Sequence, residues 1–144
     1  MTAPPARSHA ALWWTATAIV AVVLFVIANS DAVYNATSPT WLDFHVLLRK
    51  TYSVVAFALL GFLAARASQA SGLRTSPLTI GWWIAVFSLA IEIAQAMTPP
   101  PEGLGWNTVD ILCGWLGGWL GAHAARAVGP TFMFGRRKKE DSRP

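Results

Sequence analysis

The chain has 144 residues, of which 54% are hydrophobic and only 12% charged, with 11 Lys and Arg against 7 Asp and Glu for a formal net charge of +4. A soluble globular domain carries roughly 25% charged residues, so this composition excludes one and points to a membrane. The single cysteine, Cys113, excludes an internal disulfide or a Cys-based metal site and reads as a small buried apolar side chain.

In chain order, residues 1–10 form an N-terminal tail containing Arg7. The first apolar run, Ala11 to Ala28, approaches the ~20 helical residues that cross a hydrocarbon core. A cleaved signal peptide is its alternative, since Ala28-Asn29-Ser30 loosely fits a small-x-small site, but the run exceeds the usual apolar region of about 7 to 15 residues. Asn29 to Lys50 is a polar linker with Asp31, Asp43, Pro39, Trp41 and Phe44; its Asn35-Ala36-Thr37 fits a glycosylation sequon that arises often by chance. Thr51 to Ala65 is a second and shorter span, followed by a linker with Arg66 and Arg74.

Ile80 to Met97 is the third span, Thr98 to Thr108 a loop with three prolines and Glu102, and Val109 to Val128 the fourth span. The tail, residues 129–144, carries Arg136, Arg137, Lys138 and Lys139, a topology determinant and lipid anchor; nucleic acid is a poor partner for so short a run, which goes on into Glu140 and Asp141. Continuous apolar runs exclude the alternation of a β-barrel. The expected fold is all-α, a four-helix transmembrane bundle over residues 11–128. Basic residues collect on the cytoplasmic side, which places both termini and the middle linker there. Trp13, Trp14, Trp41, Trp82, Trp83 and Trp106 fall near span ends, where amphipathic rings sit; Trp115 and Trp119 lie deeper.

Ionisable residues inside spans are costly and usually face other helices. Glu92 lies about 7 Å below the outer end of the third span at 1.5 Å per residue, with Gln95 and Ser88 on its face. Asp110 opens the fourth span beside Asn107 and Thr108, and Arg49 and Lys50 open the second at the same level, against the positive-inside rule. Arg49, Lys50, Glu92, Gln95, Asn107 and Asp110 therefore form the candidate polar cluster. Gly114, Gly117, Gly118 and Gly121 follow Asp110 at spacings of three and four and include two small-xxx-small patterns, the mark of a close-packing face. Asp110 is expected to point into the bundle, where Lys50 or Arg49 neutralises it.

On these residues the chain resembles the VanZ-like family, small multi-helix bacterial membrane proteins named for a member linked to teicoplanin resistance. Lys50, Leu60-Gly61, Glu92-Ile93-Ala94-Gln95, Asp110 and Gly117 match the family pattern in order, across roughly Arg49 to Gly121. The chain departs from it at Ser53 (His in the family), Phe57 (Tyr) and Gly114 (Asn), and no Arg stands in the loop from Thr98 to Asn107. The resemblance implies a multi-pass protein of the bacterial cytoplasmic (inner) membrane and a role in the cell envelope, possible glycopeptide tolerance included.

Three readings of the cluster follow. It holds the head group of an envelope lipid, lipid-linked precursor or glycopeptide in a cleft open to the outer leaflet; it locks helix register in a structural or assembly protein; or Glu92 and Asp110 act as acid and base of a membrane-embedded enzyme. The last is disfavoured because no nucleophile constellation accompanies them; His45 is an interfacial side chain in preference to a base. His9 and His123 fall on the opposite side from His45, which excludes a three-His metal site, and no cofactor is expected. Four short spans without an inverted repeat argue against a transporter unless the chain forms a homo-oligomer.

Overall fold

Ala-, Leu- and Ile-rich runs with good helix propensity and no interior proline fold into four helices: α1, Ala6–Ala28; α2, His45–Ala70; α3, Pro77–Ala96; and α4, Leu104–Ala127. The computed structural model describes residues 6–30, 33, 45–97 and 104–128. Three helices are long and apolar enough to cross a membrane, over His9–Ala28, Lys50–Ala70 and Pro77–Ala96, and the chain is a membrane protein. Its outward surface agrees: Val22 and Val26 on α1, Val55 and Leu59 on α2, Val86 and Ile93 on α3, and Leu112 and Leu120 on α4 are all exposed, which suits a hydrocarbon surround.

The second helix runs 26 residues, well past the expected end at Ala65. Charge at Arg66 breaks the apolar run without breaking the helix, because Ala65, Ala67 and Ser68 are small and buried while the Arg66 guanidinium turns onto the Trp13 ring, 5.4 Å from its centre. The helix stops at Gly72, whose φ of 73° is open to glycine at little cost. There Leu73 N–H donates to Ser68 O and Gly72 N–H to Gln69 O, the two bonds of a Schellman cap. After a short turn, Ser76 caps α3 by accepting from Thr79 N–H, with Pro77 in the first helical turn, where its missing N–H costs nothing.

The helix ends fix the order of packing. Trp14 Nε1 donates to Ser71 Oγ at one end of the bundle and Gln95 Nε2 to the Ala28 carbonyl at the other. Helix α1 thus runs antiparallel to α2 and parallel to α3. Helix α4 lies between α2 and α3 and makes the closest approaches. A Cβ placed on Gly114 would lie 2.7 Å from Ser88 Cβ, and one on Gly118 2.7 Å from Ile84 Cβ, both on α3; one on Gly117 would lie 2.8 Å from Phe57 Cβ, and one on Gly121 2.7 Å from Phe62 N, both on α2. Real Cβ atoms do not sit so close, so the two backbones meet only because these positions are glycine. Around them Phe57, Leu60, Ile80, Ile84, Ile91, Ala122 and Ala125 form the buried core.

Candidate functional site

The buried face of α3 runs through Ile80, Gly81, Ile84, Ala85, Ser88, Ile91 and Glu92. These are steps of three and four along one stripe, and the stripe simply continues into Glu92. A carboxylate stands where the helical period calls for an apolar side chain, and it is 7% exposed. Lys50, in the first turns of α2, is equally enclosed at 7%.

Lys50 Nζ forms a salt bridge with Asp110 Oδ2, joining the start of α2 to the start of α4. The register of α4 brings this about. Gly117 against Phe57 and Gly121 against Phe62 set α2 and α4 parallel, and stepping back along both leads to Lys50 and Asp110. Ser88, 1% exposed, donates from Oγ to the Asp110 backbone carbonyl at 3.0 Å, tying α3 to the same turn. Gln95, one turn beyond Glu92, donates to the Ala28 carbonyl at 2.7 Å. That carbonyl is one of the last four of α1, which have no partner within the helix.

Between these groups is a cavity of about 210 Å³. Its apolar wall comes from Leu24, Ile27 and Ala28 of α1, Ala56 and Phe57 of α2 and Ile91 of α3, and its polar side from Tyr52, Ser53, Ser88, Glu92, Gln95 and Asp110. All four helices contribute. Pockets that enclose drug-sized ligands run to ~300–1,000 Å³, so this one has room for a small group only.

No protein-family model, curated protein or solved structure matches this chain. The site therefore rests on its own geometry. Of the six residues of the expected cluster, Lys50, Glu92, Gln95 and Asp110 come together at one end of the bundle, while the side chains of Arg49 and Asn107 lie outside the described residues, as do the basic tail and the loop with Glu102. Tyr52, Ser53 and the α1 wall were not singled out from sequence as a lining. Ser53 did stand out as a departure from the family pattern, and the position it occupies faces the cavity. Among the described residues no three His, Cys, Asp or Glu side chains are grouped to hold a metal ion.

The opposite end of the bundle is chemically distinct. Arg126 donates to the Thr75 carbonyl at 2.8 Å, Arg66 donates to Gln69 Oε1, and Trp14 donates to Ser71. Along the outer side of α3 and α4, Trp82, Trp115, Trp119 and His123 form a ladder of rings, with Trp115 and Trp119 stacked 6.2 Å apart. The buried Trp115 Nε1 has no hydrogen-bond partner among the described residues.

Proposed function

We propose that the protein is a multi-pass component of the bacterial inner membrane that holds the head group of an envelope lipid or lipid-linked precursor in its polar-sided cavity. The observation that supports this most is that all four helices line one cavity with an apolar wall and a polar side. The basic groups Arg66, Arg74 and Arg126 lie toward the far end, which under the positive-inside rule supports a cytoplasmic side there and an outer-leaflet position for the cavity. The resemblance to the VanZ-like family supports the envelope setting and the link with glycopeptide tolerance.

A second reading, the structural lock, is favoured by the Lys50–Asp110 bridge and the Ser88 bond to Asp110. The two readings divide the cluster between them, with Lys50 and Asp110 holding helices and Glu92 facing ligand. The test is Glu92→Gln, with membrane accumulation and teicoplanin susceptibility measured in the same cells. The expected result is normal accumulation with lowered tolerance. Loss of the protein would transfer Glu92 to the lock, and unchanged tolerance with normal accumulation would sink the glycopeptide role.

A further inference from the structure

At the end of the bundle opposite the cavity, we propose that the outer face of α3 and α4 seats one anionic phospholipid, its phosphate on Arg126 and Arg74 and an acyl chain along the ring ladder. On α4 the stripe Trp115, Trp119, His123 and Arg126 runs in steps of four, four and three, which lie on one face of a helix. Its rings touch in turn. Trp115 and Trp119 are stacked 6.2 Å apart, and the His123 ring meets Trp119 with centres 4.6 Å apart. Trp82 joins from α3, 60% exposed and 6.4 Å from Trp115. Gly81 lets the two helices close beneath these rings, since a Cβ there would lie 3.2 Å from Trp119 Cβ. From Arg126 to Trp115 is about 16 Å at about 1.5 Å per residue, close to half of a ~30 Å hydrocarbon core. The ladder is one leaflet deep, with the charge at its polar end.

The charged end selects the head group. Arg126 donates from Nη2 to the Thr75 carbonyl at 2.8 Å, which fixes its guanidinium at the turn between α2 and α3, and Arg74 is the neighbouring residue of that turn. Both are exposed, and neither is paired with a carboxylate among the described residues. The described carboxylates, Glu92 and Asp110, stand at the cavity end. A guanidinium presents five donors in a planar fork, so Arg126 can stay anchored to Thr75 and still donate to a phosphate, a charge-assisted bond of the stronger kind. A zwitterionic head group would bring its own ammonium against the two guanidiniums. A second copy of the chain is a poorer occupant, because a twofold axis along the membrane normal pairs a patch with itself and would set Arg126 and Arg74 against their own copies.

The full chain in nonionic detergent is titrated with phosphatidylglycerol, phosphatidylcholine and chain-free glycerol phosphate, and bound molecules are counted by native mass spectrometry on the wild type, Arg126→Gln, Arg74→Gln, Arg66→Gln and Trp82→Ala. One phosphatidylglycerol is expected to bind at least about tenfold more tightly than phosphatidylcholine, a factor that a hydrogen bond to a charged group supplies. Arg126→Gln and Arg74→Gln should each remove most of this preference, and Trp82→Ala should weaken both lipids. Arg66→Gln, which takes the same charge from beside Trp13 of α1, should leave the preference intact. Equal binding of the two lipids overturns the site, and so does an equal fall in all three arginine variants, which would show diffuse attraction to the basic end. Glycerol phosphate competing as well as the lipid gives the guanidiniums to a soluble anion and overturns the lipid; a lipid-free dimer lost in Trp82→Ala gives the face to a second copy and overturns it too. Should Arg126→Gln fail to fold, Arg74→Gln and the order of the three probes on the wild type decide the matter.

Discussion

Helix α4 carries Asp110, His123 and Arg126 and is not among the three helices apolar enough to cross a membrane, yet it is wedged between α2 and α3 with Gly114, Gly117, Gly118, Gly121, Ala122 and Ala125 buried. Helix α1 is the most apolar of the three, and none of its stretch from His9 to Ala28 is buried. Apolarity and packing run in opposite directions because hydrocarbon is as good a solvent for Leu and Val as another helix is. Helices in a bilayer associate through close van der Waals contact at small residues and through interhelical hydrogen bonds. Helix α4 has both, whereas α1 lies against the core only partly buried, through Val20, Ala21, Leu24 and Ala28, with one hydrogen bond near each end.

This contrast can be tested by substitution. The largest effect is expected at Lys50→Met, which leaves Asp110, 15% exposed, as an unpaired charge at a cost of up to about 3 kcal/mol; adding Asp110→Leu should recover most of it, measured as unfolding in mixed micelles. Failure of the double variant to recover would mean that the pair does more than balance charge. Gly121→Val on α4 drives a side chain into the α2 backbone at Ala58 and Phe62 and is expected to cost about 1 to 3 kcal/mol or more.

Smaller effects belong to α1. Gln95→Ala removes the bond to the Ala28 carbonyl, worth about 1 kcal/mol. It should loosen the cavity end of α1 without unfolding α2 to α4, visible as a broadened distance between spin labels at Ile27 and Ile93. A unimodal, unchanged distance would show that α1 is held by packing after all. Trp14→Phe breaks an exposed bond to Ser71 and should cost less still, and Val22→Leu on the outward face of α1 should stay within about 0.5 kcal/mol of the wild type.

How much of this was legible beforehand follows from the same physics. The glycine spacing after Asp110 was readable as a close-packing face, and the structure places those glycines against α2 and α3. Helix α2 runs past the expected end at Ala65 to Ala70 because hydropathy registers the charge of Arg66 but not the helix propensity of the alanines around it. The cavity wall was not readable at all: Leu24, Ile27 and Ala56 are ordinary apolar residues, and only the arrangement of helices turns them toward one space.

Sequence by itself determined the environment and the elements. A chain with 54% hydrophobic residues in continuous runs can satisfy its backbone in a membrane only as helices or a closed barrel, and unbroken runs choose helices. It also determined that Lys50, Glu92, Gln95 and Asp110 need an interior, because exposure of such groups to hydrocarbon is too costly. Tertiary structure decided the partners. Lys50 bridges Asp110, Ser88 holds the Asp110 turn, and Gln95 reaches back to α1, because the register in which α4 slides between α2 and α3 depends on glycine contacts between segments far apart in the chain, which no local pattern encodes.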